Sequence, residues 1–281
     1  MKLVIAIFHI QFVMAGVFGI DDRIDRYQIT NPLIREAAIS SAALIPKTRI
    51  DQSQEELVVM QRSLVSGNGF CTEEKFANHL AIANCSAALI ADDLVLTAGH
   101  CIDDSMDYGC DDYNIVFDYA RTSDKQVKLQ KKNIYNCKEI IHYDFDFFNG
   151  TWLDLAIIKL DRKVLDRRPL KVESRKMQVG EELFMVGHPL GVSQKVSQTG
   201  HVTRIDKNVN SYNHNLDTFS CNSGSPVFSK ATGNIVGVLV RGSGPNYVKE
   251  NGCNKWYQAN EEDFHESNDL LSIKDLLREL L

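Results

Sequence analysis

Several things are missing from this 281-residue sequence, and each absence narrows what the chain can be. Past the first residues no apolar run approaches the ~20 residues needed to span a bilayer, so no membrane anchor is expected in the body of the chain. Lysine and arginine number 31 against 37 acidic residues, a net charge of −6 without any basic cluster, which excludes a nucleic-acid-binding surface of the usual kind. There is no Cys-x-x-Cys, and His100-Cys101 has no neighbouring ligand pair, so no metal site is expected. No internal repeat or low-complexity tract occurs, and the length suits one globular unit of one or two lobes with a sizeable core.

What the chain does have begins with Met1-Lys2 followed by apolar Leu3 to Phe8 and a less apolar continuation through Met14-Ala15-Gly16. That order reads as an export signal of about residues 1–19, with cleavage after Ala15, Gly16 or Gly19. The mature protein, about 20–281, is then expected outside the reducing cytosol, secreted or periplasmic. Seven cysteines suit that compartment, and the odd count leaves one thiol free or paired with another chain.

From residue 85 onward the pattern is one of short apolar runs between turns. Strands are predicted at 87–90, 94–97, 115–117, 127–129, 139–142, 155–160, 183–186, 202–205, 226–228 and 235–240. Many short strands with few helices between them indicate an all-β antiparallel sandwich or barrel. Residues 20–50 read as an irregular lead-in broken at Asn31-Pro32. Val58-Val59-Met60 reads as a strand before a Gly67-Asn68-Gly69 turn, and Thr72 with Glu73-Glu74 as the cap of a short helix running to Leu80. Charged residues 161–168 read as a connection between lobes. Leu270, Leu271, Ile273, Leu276, Leu277 and Leu280 follow helical spacing, predicting a terminal α-helix over about 268–281.

Three stretches carry chemistry. Cys221-Asn222-Ser223-Gly224-Ser225-Pro226 places a serine in a tight turn ahead of an apolar strand, where a hydroxyl and backbone N–H groups can be aimed at one point. Thr97-Ala98-Gly99-His100-Cys101 offers a base whose ordinary pKa near ~6.5 lets it take and return a proton. Asp154 precedes the apolar Leu155 to Leu160, so a buried carboxylate that orients the imidazole is plausible chemistry. Singly these are a core histidine, a strand-start aspartate and a turn serine; in the order His, Asp, Ser they form a nucleophile–base–orienter set. His142, His188 and His201 sit in no such motif and read as structural or surface residues. No cofactor is required by this chemistry.

The segment from Cys85 through His100-Cys101, the strand from Asp154 and the turn Asn222-Ser223-Gly224-Ser225-Pro226 together resemble trypsin-like serine peptidases. Asn222 and Ser225, with Gly187-His188-Pro189 and the lead-in Gly19 to Arg23, resemble the bacterial glutamyl-endopeptidase branch more than the digestive trypsins. The resemblance covers roughly residues 17–250. It implies two packed six-stranded antiparallel β-barrels (about 37–160 and 169–250) with the site between them. It also implies a triad of His100, Asp154 and Ser223, and an oxyanion hole from the N–H groups of Cys221 and Ser223. Protein or peptide substrates and a monomer are expected. The family usually has glycine where Cys221 stands, and a side chain there opposes the needed backbone angles. Asn222 replaces the aspartate with which trypsins bind a newly released N-terminus, so that ion pair cannot form here. Asp217, six residues before Ser223, matches the carboxylate at the base of the trypsin primary pocket, with Gly242 and Gly244 as its open wall. That match implies cleavage after Arg or Lys, unless Arg241 turns inward and neutralises Asp217. Leu239 stands where glutamyl endopeptidases carry a histidine, which argues against an acidic preference. A Cys85–Cys101 bridge is implied beside His100, Cys110–Cys137 is expected across a hairpin, and Cys253 pairs with Cys221 or Cys71. Asn84-Cys85-Ser86 and Asn149-Gly150-Thr151 are glycosylation sequons.

Overall fold

The short apolar runs close into two barrels in the computed structural model, which describes residues 15–105, 108–146, 152–206 and 209–281. The first barrel uses β1 (Ser41–Pro46), β2 (Cys85–Ala91), β3 (Leu94–Thr97), β4 (Tyr113–Phe117), β5 (Ile134–Asp146) and β6 (Leu153–Leu160), hydrogen-bonded in the closed order β6-β3-β2-β1-β4-β5. The second uses β7 (Glu182–Gly187), β8 (Lys195–Asp206), β9 (Ser211–His214), β10 (Pro226–Ser229), β11 (Ile235–Gly242) and β12 (His265–Asn268), in the order β7-β10-β11-β12-β9-β8 with β8 returning to β7. Antiparallel closure leaves no ladder edge unpaired along either ring. One apolar cluster fills the first barrel and continues into the second through Phe184, Val186, Phe228 and Val238, which seats the two barrels on each other.

Beta-9 and β12 run past the expected pattern: the second ring is completed only at Asn268, beyond residue 250. Ser211-Tyr212-Asn213-His214 and His265-Glu266-Ser267-Asn268 pair with each other and are mostly buried despite their polarity. Their polar side chains are held by varied partners: His214 Nε2 meets Ser267 Oγ at 3.0 Å, His265 Nδ1 the Leu216 carbonyl and Glu266 the Arg241 guanidinium. Alternating hydrophobicity therefore does not reveal these strands. The terminal helix is shorter than expected, Lys274–Leu280, with Leu277 turned inward.

Other expectations fail for local reasons. Asn31-Pro32 does not break the chain but starts a helix, Pro32–Ile39: Asn31 Oδ1 accepts the Leu33 N–H at 2.9 Å and proline fills the first helical position. No helix forms from Thr72, because Phe76 lies at φ 64° and the Glu74 carboxylate accepts the Trp256 N–H instead of capping a turn. The nearby helix is Leu64–Asn68, capped by Ser63 and ended by Gly69 in the left-handed region. Val127–Leu129 joins no ladder among the described residues, and Val127 and Leu129 rest on a small cluster around Ile45 and Tyr119.

The N-terminal segment is stitched into the second barrel. Ala15–Gly16 pairs with Thr218–Phe219, and Ile24–Asp25 adds to β8. Between them Arg23, 1% exposed, pairs with Asp21 and stacks over Trp256 (4.1 Å) and Phe219 (4.5 Å), a cation held by aromatic faces and one carboxylate. Lys195 of β8 reaches Asp25 Oδ1 at 2.8 Å, and burial pushes its ammonium down to about 8. The expected export signal falls mainly on residues 1–14, outside the described residues; its expected last part is described and packed, with Val17 fully buried and the Phe18 N–H on Asp217, so the Asp217 site below is that of a chain that keeps these residues. Three disulfides join Cys85–Cys101, Cys110–Cys137 and Cys71–Cys253, leaving Cys221 free. Among the described residues no helix is long and apolar enough to cross a membrane.

Candidate active site

Asp154 opens β6 with its carboxylate fully buried. Oδ1 accepts the backbone N–H of His100 at 2.8 Å and Oδ2 accepts from His100 Nδ1 at 2.6 Å. A carboxylate can only accept here, so the imidazole proton is fixed on Nδ1 and Nε2 is left as the basic atom. The approach depends on Gly99, where a Cβ would stand 2.3 Å from the Asp144 carbonyl oxygen and 3.2 Å from Asp154 Oδ1. The Cys85–Cys101 bridge ties the short helical turn Gly99–Ile102 to β2. Ligand atoms of Cys85, His100 and Cys101 lie within 4.8 Å of one another, but both sulfurs are spent in that bridge, so the trio offers no thiolate to a metal.

The serine turn is clamped against the same region. Ser86 of β2 donates its N–H to the Ser223 carbonyl at 2.8 Å and its hydroxyl to the Cys221 carbonyl at 3.3 Å. Gly224 (φ 79°) is wedged so closely that a Cβ would stand 2.1 Å from the Ser86 oxygen and 2.2 Å from Thr97 Oγ1, two residues before Gly99. Within the turn Asn222 N–H reaches the Phe219 carbonyl and Ser225 N–H the Asn222 carbonyl. Among the described residues neither the Cys221 nor the Ser223 N–H has an acceptor. Two uncommitted backbone donors flanking a serine are what an oxyanion hole needs. Cys221 holds φ 69° without being glycine, a strain of about 1–3 kcal/mol. Burial pushes its thiol up to about 11, so it is no thiolate nucleophile at neutral pH.

Asp217 is buried, and Oδ1 accepts the Phe18 N–H at 2.8 Å while its own N–H donates to Ser197 Oγ. Burial pushes its carboxyl up to about 7 against the pull of Arg23, and among the described residues Oδ2 has no hydrogen-bond partner. Arg241 does not turn toward it: the guanidinium donates to Glu266 at 2.6 Å and lies over Trp152. Gly242 packs on His265, whose Cδ2 a Cβ would meet at 2.6 Å. His265 in turn donates from Nδ1 to the Leu216 carbonyl and packs edge-on against Phe18.

Sequence reasoning did not find Phe18, His214 or His265 in this region, nor Ser86 as the clamp. It also missed Asn268, which donates to the Trp152 carbonyl and accepts the Asp154 N–H. His214, His265 and Asn268 lie in no apolar pattern and beside no motif, whereas Phe18 falls in the expected export signal and Ser86 in the Cys85 stretch, where neither is marked as part of a site. Of the other histidines, His188 is buried, donating to the Val192 carbonyl, with burial pushing it down to about 3; His142 meets Asp144 and His201 is exposed.

A model of the trypsin-like peptidase domain matches residues 85–238. The solved structure of a Glu endopeptidase in complex with MPD superimposes with a TM-score of 0.56 at 20% identity, covering 94% of this chain and 98% of that one. At that identity the likeness speaks to the fold, the pair of six-stranded barrels. No curated protein matches the sequence. The matched segment spans more than half of the chain and contains the histidine turn, the Asp154 strand and the serine turn. The chain belongs to the trypsin-like peptidase domain family.

Proposed function

We propose that this chain is a secreted serine endopeptidase that cuts peptide bonds through an acyl-enzyme. The observation that carries the reading is the His100–Asp154 pair, bonded through both carboxylate oxygens, beside a serine turn with two uncommitted N–H groups. Ser223 Oγ attacks the peptide carbonyl as its proton passes to His100 Nε2; the C–O bond forms and the carbonyl electrons move onto oxygen. The N–H groups of Cys221 and Ser223 receive that oxyanion. The C–N bond then breaks as His100 returns the proton to the departing amine. Water hydrolyses the ester by the same route, His100 taking its proton and handing one back to Ser223. Asp154 holds the imidazole and balances the imidazolium. Three disulfides support a site of action where thiols stay oxidised.

Asp217 and Gly242 form the primary pocket in this reading, with Arg or Lys ahead of the scissile bond. A second reading, a binding module that retains the barrels without turnover, is favoured by one observation only, the strained Cys221 at an oxyanion position. Labelling with a fluorophosphonate probe, which demands an activated hydroxyl, separates the two. The peptidase labels at Ser223, loses labelling in Ser223→Ala and digests casein; a wild-type protein that never labels is the binding module.

A further inference from the structure

A cavity of about 360 Å³ opens beside the serine turn, and Arg49, Arg62, Asn84, Ser220, Cys221 and Asn246 are among the residues that line it. Its volume falls in the range of built ligand sites, ample for one or two side chains. The chain as a whole is acidic, net −6, yet no Asp or Glu lines this cavity. Arg49 donates to the Ile82 carbonyl and to Asn84 Oδ1, and Arg62 to the Ala81 carbonyl and Asn68 Oδ1. These neutral acceptors aim both guanidiniums without cancelling their charge. Among the described residues neither makes an ion pair, although Arg62 also borders a larger cleft lined by Glu55 and Glu56. Both guanidiniums are felt electrostatically at the Cys221 sulfur, two residues from Ser223.

The position of the cavity gives it a side of the substrate. Asp217 and Gly242, assigned to the acyl half, do not line it. Its first-barrel wall is Ala83-Asn84, adjoining Cys85, whose disulfide partner Cys101 follows His100. That is the group that gives a proton to the departing amine. We infer that Arg49 and Arg62 bind a carboxylate of the leaving-group segment, within the first two residues after the scissile bond. A planar guanidinium fork matches two carboxylate oxygens, and two forks in one cavity make the preference directional. Asn84 Oδ1 is committed to this arrangement through Arg49, while its Nδ2 donates to the Tyr113 hydroxyl at 3.4 Å. The inference rests on the peptidase reading for its chemistry, but its binding step can be measured without turnover.

Cut sites in a proteome-derived peptide library, identified by mass spectrometry, test it. Asp and Glu are expected to be enriched about fivefold at the first or second residue after the cut, the scale of a half-exposed charge pair. The enrichment is expected to fall toward background in Arg62→Gln and in Arg49→Gln/Arg62→Gln; Arg62→Gln serves alone if loss of the Arg49 bond to Ile82 prevents folding. A library with amidated C-termini distinguishes a side-chain carboxylate from a terminal one: enrichment surviving amidation assigns the former, and cutting that needs a free terminus assigns the latter. Absent enrichment, enrichment unchanged in both variants, or enrichment only ahead of the cut overturns the inference. If no peptide is cut, the peptidase reading fails by itself. Anisotropy of labelled, amidated Asp and Asn peptides on Ser223→Ala then decides the pocket: an Asp preference lost on removing the arginines supports it, and equal binding overturns it.

Discussion

The Asn268 side-chain carbonyl accepts the backbone N–H of Asp154 at 2.8 Å, so a residue of the last strand of the second barrel fixes the start of the first-barrel strand that carries the partner of His100. The same amide donates to the Trp152 carbonyl at 3.0 Å, gripping the chain on both sides of Leu153.

Asn268 acts as a positioning residue, and Asn268→Ala is expected to slow fluorophosphonate labelling about tenfold at pH 8, roughly 1.4 kcal/mol. Loss of buried hydrogen bonds also costs about 1–3 kcal/mol of stability. The midpoint of the pH–rate curve separates positioning from support: it moves if Asp154 is released, whereas a merely structural role lowers the melting temperature and leaves the midpoint alone.

Asp217 carries a pH dependence of known sign. Burial raises its carboxyl from 3.8 to about 7, so between those values the native state holds a proton that the unfolded chain gives up. Stability is therefore full below about pH 4 and falls as pH rises toward 7, by roughly 4 kcal/mol in all. Asp217→Asn is expected to flatten that part of the stability curve in urea titrations from pH 4 to 8. A slope unchanged by the substitution rules Asp217 out as its source.

The same titration reaches specificity. Above pH 7 the carboxylate is charged, so the ratio of kcat/KM for an Arg peptide over its Leu counterpart is expected to rise between pH 6 and 8.5. Any step that the two substrates share cancels in the ratio. A flat ratio removes Asp217 from the primary pocket.

Cys221→Gly relieves a side chain held at φ 69° while keeping the N–H. A stabilisation of about 1 kcal/mol or more is expected, read as a higher denaturant midpoint, with Ser223 still labelled. A lower midpoint shows that the Cys221 side chain contributes more by packing than its backbone angle costs.

Gly224→Ala goes the other way. The added methyl would meet the Ser86 carbonyl oxygen and Thr97 Oγ1 at about 2 Å, and the carbonyl, being backbone, withdraws only by shifting β2. Labelling is expected to vanish in a protein that still shows native far-ultraviolet dichroism; full labelling means the turn is not seated as described.

The residues that could be found in the sequence are those whose neighbours in the chain explain them. Leu94–Thr97 and Leu155–Leu160 are short, near-continuous apolar runs that end almost wholly buried, and the histidine, aspartate and serine stretches each carry their own flanking pattern. Asn268, Ser86 and Arg23 could not be found this way, because each is polar and buried through partners far away in the chain. Arg23 is neutralised next door by Asp21 but sheltered by Phe219 and Trp256. Likewise His265-Glu266-Ser267-Asn268 is a strand only because Ser211–His214 and β11 lie on either side of it. Asn31-Pro32 is different: its helix-starting pattern is present locally, and a proline that reads as a break serves as the first turn of a helix.

The Ile24–Asp25 strand has its hydrogen-bonding partner at Val196 and Lys195. On a ribosome or at a translocon the whole first barrel is made before that partner exists, so this stretch waits unpaired while its downstream neighbours fold. Closure of the second barrel therefore waits until His265–Asn268 has emerged, and it gathers segments as far apart in the chain as Ile24 and Asn268. A premature stop before residue 265 leaves that ring open, with Asp154 deprived of its Asn268 tether, so a truncated product carries the serine turn without the framework that would arm it.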